Sequence, residues 1–266
     1  MEQPTSPPTP PQWTVPEVRR ERLLEGARRA EGVVVVIDVF RAFSLCAYAA
    51  ALGARPLVAV ADAREALAIK ERHPDAVLSG ERGGWRLEGF DLGNSPSELL
   101  RWVACGRPLR NRPFVQRTSA GTQGLLGATR ARALFVAGLV NAWATAWAIR
   151  AMRAGLVTVV AMGWAGQEPT EEDEACAEAL QHYLTGRPWN LREAVRAMVQ
   201  APRVANLLAH ELPPFWPSDV SLCLAANLFP FALRARRAGP VAVIRPVPVP
   251  AAAPAPPGPS GLPARE

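Results

Sequence analysis

Residues 33–37 are an unbroken run of β-branched apolar side chains, Val33, Val34, Val35, Val36 and Ile37. Such a run, with no polar alternation, predicts a strand buried on both faces, as in a parallel sheet. A helix-compatible apolar stretch over 42–52 follows and stops at Gly53. Shorter apolar runs at 55–60, 76–79, 113–117, 133–137 and 156–162 each predict another strand. Between them lie helical stretches with start signals. Asp62 with Glu65, Ser95 with Glu98, and Thr170 with Asp173 match capping boxes, and Pro96 stands at a first helical position. Asn141 is the expected cap of a long helix to about Ala154. Residues 191–224 read as helix broken by Pro213, Pro214 and Pro217. Strands alternating with helices at this spacing predict an α/β fold of three α/β/α layers around a mostly parallel or mixed sheet, in one large domain or two lobes.

The flanks look different. Residues 1–16 are proline-rich and predict a loosely draped or disordered start, and 18–30 predict an exposed Arg-rich helix. From about Pro240 the chain is rich in Pro, Ala and Val, with a short extended piece at 241–249 and no expected function. The division expected is therefore an N-terminal extension over 1–30, an α/β domain over 31–239 and a tail over 240–266.

Composition narrows the function. At 266 residues and 49% hydrophobic, the chain can bury a sizeable core. Its net charge of +6 is carried almost wholly by arginine, Lys70 being the lone lysine. No basic block is interleaved with aromatics, so a small anionic ligand is a better partner than nucleic acid. Cys46, Cys105, Cys176 and Cys223 are scattered without a C-x-x-C pair, and His73, His182 and His210 are isolated. A structural zinc site is thus not expected, and the cysteines read as small hydrophobes in a reducing cytoplasm. No apolar run approaches the ~20 residues that span a bilayer. No membrane partner is expected, and a homodimer is allowed.

The chemistry gathers at strand ends. Asp38 and Arg41 follow the valine strand, where open α/β sheets bind ligands. Together they could hold a divalent cation and a phosphate, or Asp38 could simply cap the next helix and pair with Arg41. The stretch 80–98 surrounds Glu81, Arg82, Asp91 and Asn94 with five glycines, and its order is expected to depend on a ligand. Ser95 reads as a helix cap ahead of a ligand contact. Thr118, Ser119, Gly121 and Thr122 form a strand-to-helix turn able to present N–H groups to phosphate. Neither a Walker loop nor a dinucleotide fingerprint is present. Glu172 and Asp173 lie in an acidic run at a helix start, where they favour the helix dipole or a metal.

Taken in order, Ile37-Asp-Val-Phe-Arg-Ala42, Gly80-Glu-Arg82, Gly89-Phe-Asp-Leu-Gly-Asn-Ser-Pro96, Thr118-Ser-Ala-Gly-Thr122, Gly138 with Asn141, and Glu172-Asp173 before Cys176-Ala177 resemble the 2-phosphosulfolactate phosphatase family over about residues 32–235. Asp219-Val220 with Cys223-Leu224 looks like that family's C-terminal element. The resemblance implies a Mg²⁺-dependent phosphatase hydrolysing 2-phospho-3-sulfolactate. It assigns catalysis to Asp38, Arg41, Glu81, Arg82 and Asp91, and substrate binding to Asn94, Ser95, Thr118, Ser119, Gly121, Thr122 and Asn141. Metal binding falls to Asp38, Asp91, Glu172 and Asp173. Oxygen ligands of this kind suit Mg²⁺, while Arg41, Arg82 and the 118–122 turn suit phosphate or sulfonate oxygens. Absence of a D-x-D pattern favours attack by metal-activated water over an aspartyl-phosphate. The chain departs from the pattern at Phe43-Ser44, at Ser119-Ala120 and at Asn227, which leaves the substrate less fixed than the class. A phosphatase for another phosphorylated acid, and a non-catalytic anion-binding protein of the same fold, are the alternatives.

Overall fold

The computed structural model describes residues 15–209, 216–251 and 253–256. The Pro-rich stretch 1–14, the pair Pro213-Pro214 and the end of the tail lie outside the described residues. In chain order the elements are β1 (Glu17–Arg22), α1 (Leu23–Arg29), β2 (Gly32–Ile37), α2 (Ala42–Ala51), β3 (Leu57–Val60), α3 (Ala63–Arg72), β4 (Val77–Arg82), β5 (Trp85–Arg86), α4 (Pro96–Ala104), β6 (Phe114–Arg117), α5 (Gly121–Gly127) and β7 (Ala131–Ala137). A 3-10 turn (Leu139–Asn141) leads into α6 (Ala142–Ala151), β8 (Leu156–Ala161), α7 (Glu171–Thr185), α8 (Leu191–Gln200), α9 (Pro202–Ala209), α10 (Pro217–Cys223), β9 (Phe231–Ala238) and β10 (Val241–Pro248).

The valine run behaves as its pattern requires. In β2, Val34 and Val36 pack into one apolar cluster with α2, α4 and α5, whereas Val33, Val35 and Ile37 pack into another with α6, α7, α8 and α10. Helices on both faces of the sheet make the three layers. Each of these fully buried side chains contributes about 1.5–3 kcal/mol of apolar burial.

Ten strands form one sheet in the order β1-β8-β2-β7-β9-β10-β3-β6-β4-β5. β1, β8, β2 and β7 are mutually parallel, as are β3, β6 and β4. The hairpin β9–β10 joins these blocks through antiparallel pairings with β7 and β3. The sheet is therefore mixed, and the two blocks run in opposite senses. The loops after β2, β4 and β6 nevertheless meet, tied by the Gly121 N–H to Asp38 and the Ser119 N–H to Glu81.

Two readings of the flanks change. Residues 17–22 are a strand, not the start of a helix, and pair with β8 along their whole length. Their charges protect a sheet edge, and Arg20 and Arg22 reach Glu174 at 2.7 and 2.6 Å. At the other end, β10 lies between β9 and β3 inside the sheet. A boundary at 239/240 would cut the hairpin that joins the two blocks. Among the described residues, no helix is long and apolar enough to cross a membrane.

Candidate active site

Loops after β2, β4, β6 and β8 surround a crevice that opens to solvent. Its lining includes Asp38, Phe40, Arg41, Glu81, Asn94, Ser119, Ala120, Trp164 and Arg203, with the backbone of Gly83, Gly84 and Gly163.

Asp38 ends β2 and is 5% exposed. Its Oδ1 accepts from the N–H of Ala42 at 3.0 Å, so it caps α2. Its Oδ2 accepts from the N–H of Gly121 at 2.9 Å, tying β2 to the loop after β6. A Cβ on Gly121 would stand 2.7 Å from that oxygen, so only glycine permits the approach. Burial, opposed by these two hydrogen bonds and reinforced by the charges of Glu81 and Glu172, pushes the Asp38 carboxyl up to about 7.

Glu81, at the end of β4, takes the neighbouring donors. Its Oε1 accepts from Ser119 N–H at 2.6 Å and its Oε2 from Gly84 N–H at 2.8 Å. Behind the crevice Asp173 clamps two further loops, accepting from Val39 N–H at 2.7 Å and Gly163 N–H at 2.8 Å. Gly163 holds φ +65°, and a Cβ there would lie 2.1 Å from the Glu168 carbonyl oxygen. Burial and the charges of Glu172 and Asp38 push the Asp173 carboxyl well up. Burial likewise raises Glu172, whose Oε2 is buried without a hydrogen-bond partner. The acidic run at the start of α7 thus divides. Glu171 is exposed and Glu174 pairs with β1, while Glu172 and Asp173 face inward.

Arg41 is held from the far side of the chain. Its Nη1 lies 2.9 Å from Asp219 Oδ2, with both side chains buried. Asp219, at the first turn of α10, also accepts from Ser95 Oγ at 2.8 Å and Ser97 N–H at 2.9 Å. One fully buried carboxylate therefore joins α10, the start of α4 and Arg41.

The expected site residues separate into three groups. Asp38, Arg41, Glu81, Asn94 and Ser119 line the crevice, with Glu172, Asp173 and the Gly121 N–H supporting its floor. Ser95, Thr118, Thr122 and Asn141 are buried and structural. Ser95 caps α4, accepting from Glu98 N–H. Thr118 and Thr122 exchange backbone-to-hydroxyl hydrogen bonds at 2.8 and 3.1 Å, which consumes the hydroxyls expected on phosphate. Asn141 Oδ1 accepts from Gly138 N–H at 3.1 Å. Asp91 and Arg82 stand outside the crevice. Asp91 Oδ2 accepts from Leu78 N–H at 2.8 Å and pairs with Lys70 at 3.1 Å, so the side chain organises the loop after β4 and does not line the crevice. Arg82 is exposed on the outer side of its strand. Residues not foreseen at the site are Phe40, Trp164, Arg203 and, as the anchor of Arg41, Asp219. Asn227, one of the departures from the family pattern, caps α6 by accepting from Trp143 N–H at 3.0 Å.

Among the described residues no three His, Cys, Asp or Glu side chains form a ready-made coordination cluster. The donor chemistry still fits Mg²⁺, which takes one or two carboxylates and keeps water and phosphate oxygens for its other positions. Asp38 and Glu172 feel each other's charge, and Glu172 Oε2 is a buried oxygen without a donor.

Fold and crevice define an α/β protein whose strand-end pocket combines buried carboxylates with a fixed guanidinium. A family model described as 2-phosphosulpholactate phosphatase matches residues 19–212, and the chain belongs to that family. It is similar to a protein of Bacillus subtilis (strain 168) named "Probable 2-phosphosulfolactate phosphatase", 32% identical over 213 residues, which is 79% of this chain and 90% of the relative. Relatives bearing the same name occur in Thermosynechococcus vestitus, 34% identical over 58% of this chain and 61% of the relative, and in Carboxydothermus hydrogenoformans, 40% identical over 42% and 44%.

Proposed function

We propose that the chain hydrolyses the phosphomonoester of 2-phospho-3-sulfolactate, with Mg²⁺ as cofactor, in a reducing cytoplasm. The observation that carries this reading is Arg41, fixed by Asp219 at 2.9 Å and facing the same crevice as the buried Asp38. Its membership of the phosphatase family supports the substrate. Four free cysteines support the compartment.

Asp38 and Glu172 would hold the cation, with Asp173 fixing the floor through Val39 and Gly163. Bound there, Mg²⁺ supplies charge neutralisation at the phosphoryl oxygens. Arg41 supplies a fixed positive charge to those oxygens. Asn94 accepts from Gln116 at 3.3 Å through Oδ1, and its NH₂ is available to the phosphate. Phe40 and Ala120 line the crevice beside the reacting centre and limit competing water. Fixed charges of this kind stabilise the transition state without reorganising during the reaction.

The test is phosphate release from 2-phospho-3-sulfolactate and a panel of phosphorylated acids, with Mg²⁺ or with excess EDTA. Release that needs the cation is expected. Full release in EDTA would remove the metal from the reading. Mg²⁺-dependent release from the panel, but not from the sulfolactate ester, would move the substrate to another phosphorylated acid.

A further inference from the structure

Arg41 is already matched by Asp219, yet the crevice contains a second guanidinium. Arg203, on α9, lies over the Trp164 ring at 4.8 Å from its centroid, and both side chains line the crevice. No hydrogen bond or ion pair engages Arg203 among the described residues, although its charge acts on the Glu172 carboxyl and partly offsets the effect of burial there. Trp164 is 44% exposed despite its size. Its loop is rigid, since Trp164 N–H donates to the Glu168 carbonyl at 2.7 Å and Gly163 N–H to Asp173 at 2.8 Å. A guanidinium held over an indole ring still has N–H groups to offer an oxyanion.

We infer that Arg203 and Trp164 form a subsite for a second acidic group of the substrate, a sulfonate or carboxylate carried beside the phosphate. This rests on the phosphatase reading above. The phosphate is met by Arg41 and Asn94, and the second acid by Arg203, all three lining the one crevice. The crevice therefore selects doubly acidic phosphomonoesters over simple ones. Without a second acid, Arg203 gains nothing from substrate and a simple alkyl phosphate is bound by one wall only.

The experiment compares wild type with Arg203→Ala, Arg203→Lys and Trp164→Leu. Three substrates are used: 2-phospho-3-sulfolactate, 2-phospholactate and ethyl phosphate. Losing a charge-assisted contact should lower kcat/KM of Arg203→Ala about 10- to 100-fold on a doubly acidic ester and less than about 3-fold on ethyl phosphate. Arg203→Lys and Trp164→Leu should fall between, with folding checked by melting. A fall confined to the sulfolactate ester assigns the subsite to sulfonate. A fall shared with 2-phospholactate assigns it to carboxylate. Equal falls on all three esters, or none, overturn the inference. If wild type hydrolyses no ester, the phosphatase reading has failed and calorimetric binding of 3-sulfolactate decides the subsite. Binding weakened about 10-fold or more in Arg203→Ala supports it; equal or undetectable binding overturns it.

Discussion

Replacing Asp219 by Asn tests the joint between the distant helix α10 and the site. The Asp219 carboxylate is fully buried and accepts three hydrogen bonds, from Arg41, Ser95 and the Ser97 N–H. Removing one partner of a buried ion pair costs about 3–5 kcal/mol, because the other charge is left uncompensated. Asparagine keeps the shape and one acceptor, which places the expected loss near the low end, about 3 kcal/mol. For a chain of this size, that lowers Tm by about 6–12 °C. Arg41 should also lose its orientation, so kcat/KM per folded molecule should fall about 10-fold or more, as for one lost charged hydrogen bond. The assay is thermal melting with phosphate release measured on the same preparations. Ser95→Ala is the control, since it removes the α4 cap and one Asp219 contact but leaves the Arg41 pair. It should cost about 1 kcal/mol and leave turnover unchanged. A variant that melts low yet turns over normally per folded molecule would refute the coupling of Asp219 to Arg41. An unchanged Tm would refute the ion pair itself.

Three further outcomes are expected. Asp38 titrates at about 7 in the fold and near 3.8 when unfolded, so the folded state binds the extra proton between those values. The contribution of Asp38 to stability should therefore be largest at low pH and decline by up to about 4 kcal/mol as pH rises from 4 to 7. In EDTA, Asp38→Asn should lessen any fall in melting temperature over this range relative to wild type, Glu172 and Asp173 keeping their own share; identical pH profiles for the two proteins would contradict it. Gly121→Ala puts a Cβ 2.7 Å from Asp38 Oδ2 and 2.9 Å from the Ala42 Cβ, and denaturant unfolding should register a loss of about 1–3 kcal/mol. Truncation before Val241 removes the strand between β9 and β3, and circular dichroism should find no cooperative melt; a cooperative transition would show that the blocks fold separately.

What the chain disclosed in advance follows from local physics. The valine run was readable because both faces of β2 are buried, and Ser95 and Asp62 because a cap satisfies N–H groups within three residues. β1 was not readable as a strand, because its side chains are mostly exposed and its pairing with β8 is remote in sequence. β10 was legible as an extended piece over 241–249, but its place inside the sheet was obscured by Pro246 and Pro248, residues that seldom enter a central strand. Its pairing with β3 ends at Ile244, while that with β9 continues to Pro248. Both prolines therefore fall where one side of the strand is no longer paired. At the site, Asp38 and Arg41 were visible because they follow a strand. The Asp219–Arg41 pair spans 178 residues, and no short pattern encodes it. Trp164 left a faint trace as a lone large apolar residue in the Gly163–Gly166 loop, whereas Arg203 left none. Thr118 and Thr122 misled because hydroxyls beside a glycine turn serve a phosphate or each other equally well in sequence.

The position of the β9–β10 hairpin has a consequence for how the protein is made. A ribosome delivers the chain from its amino terminus, and every loop that lines the crevice emerges before residue 231. The strands that align those loops emerge after them. A nascent or prematurely terminated chain would thus carry every catalytic side chain while its two half-sheets lacked their common seam. Activity would switch on only once residues 231–248 have emerged and paired, and a fragment ending before them would present open strand edges that quality-control proteases can recognise.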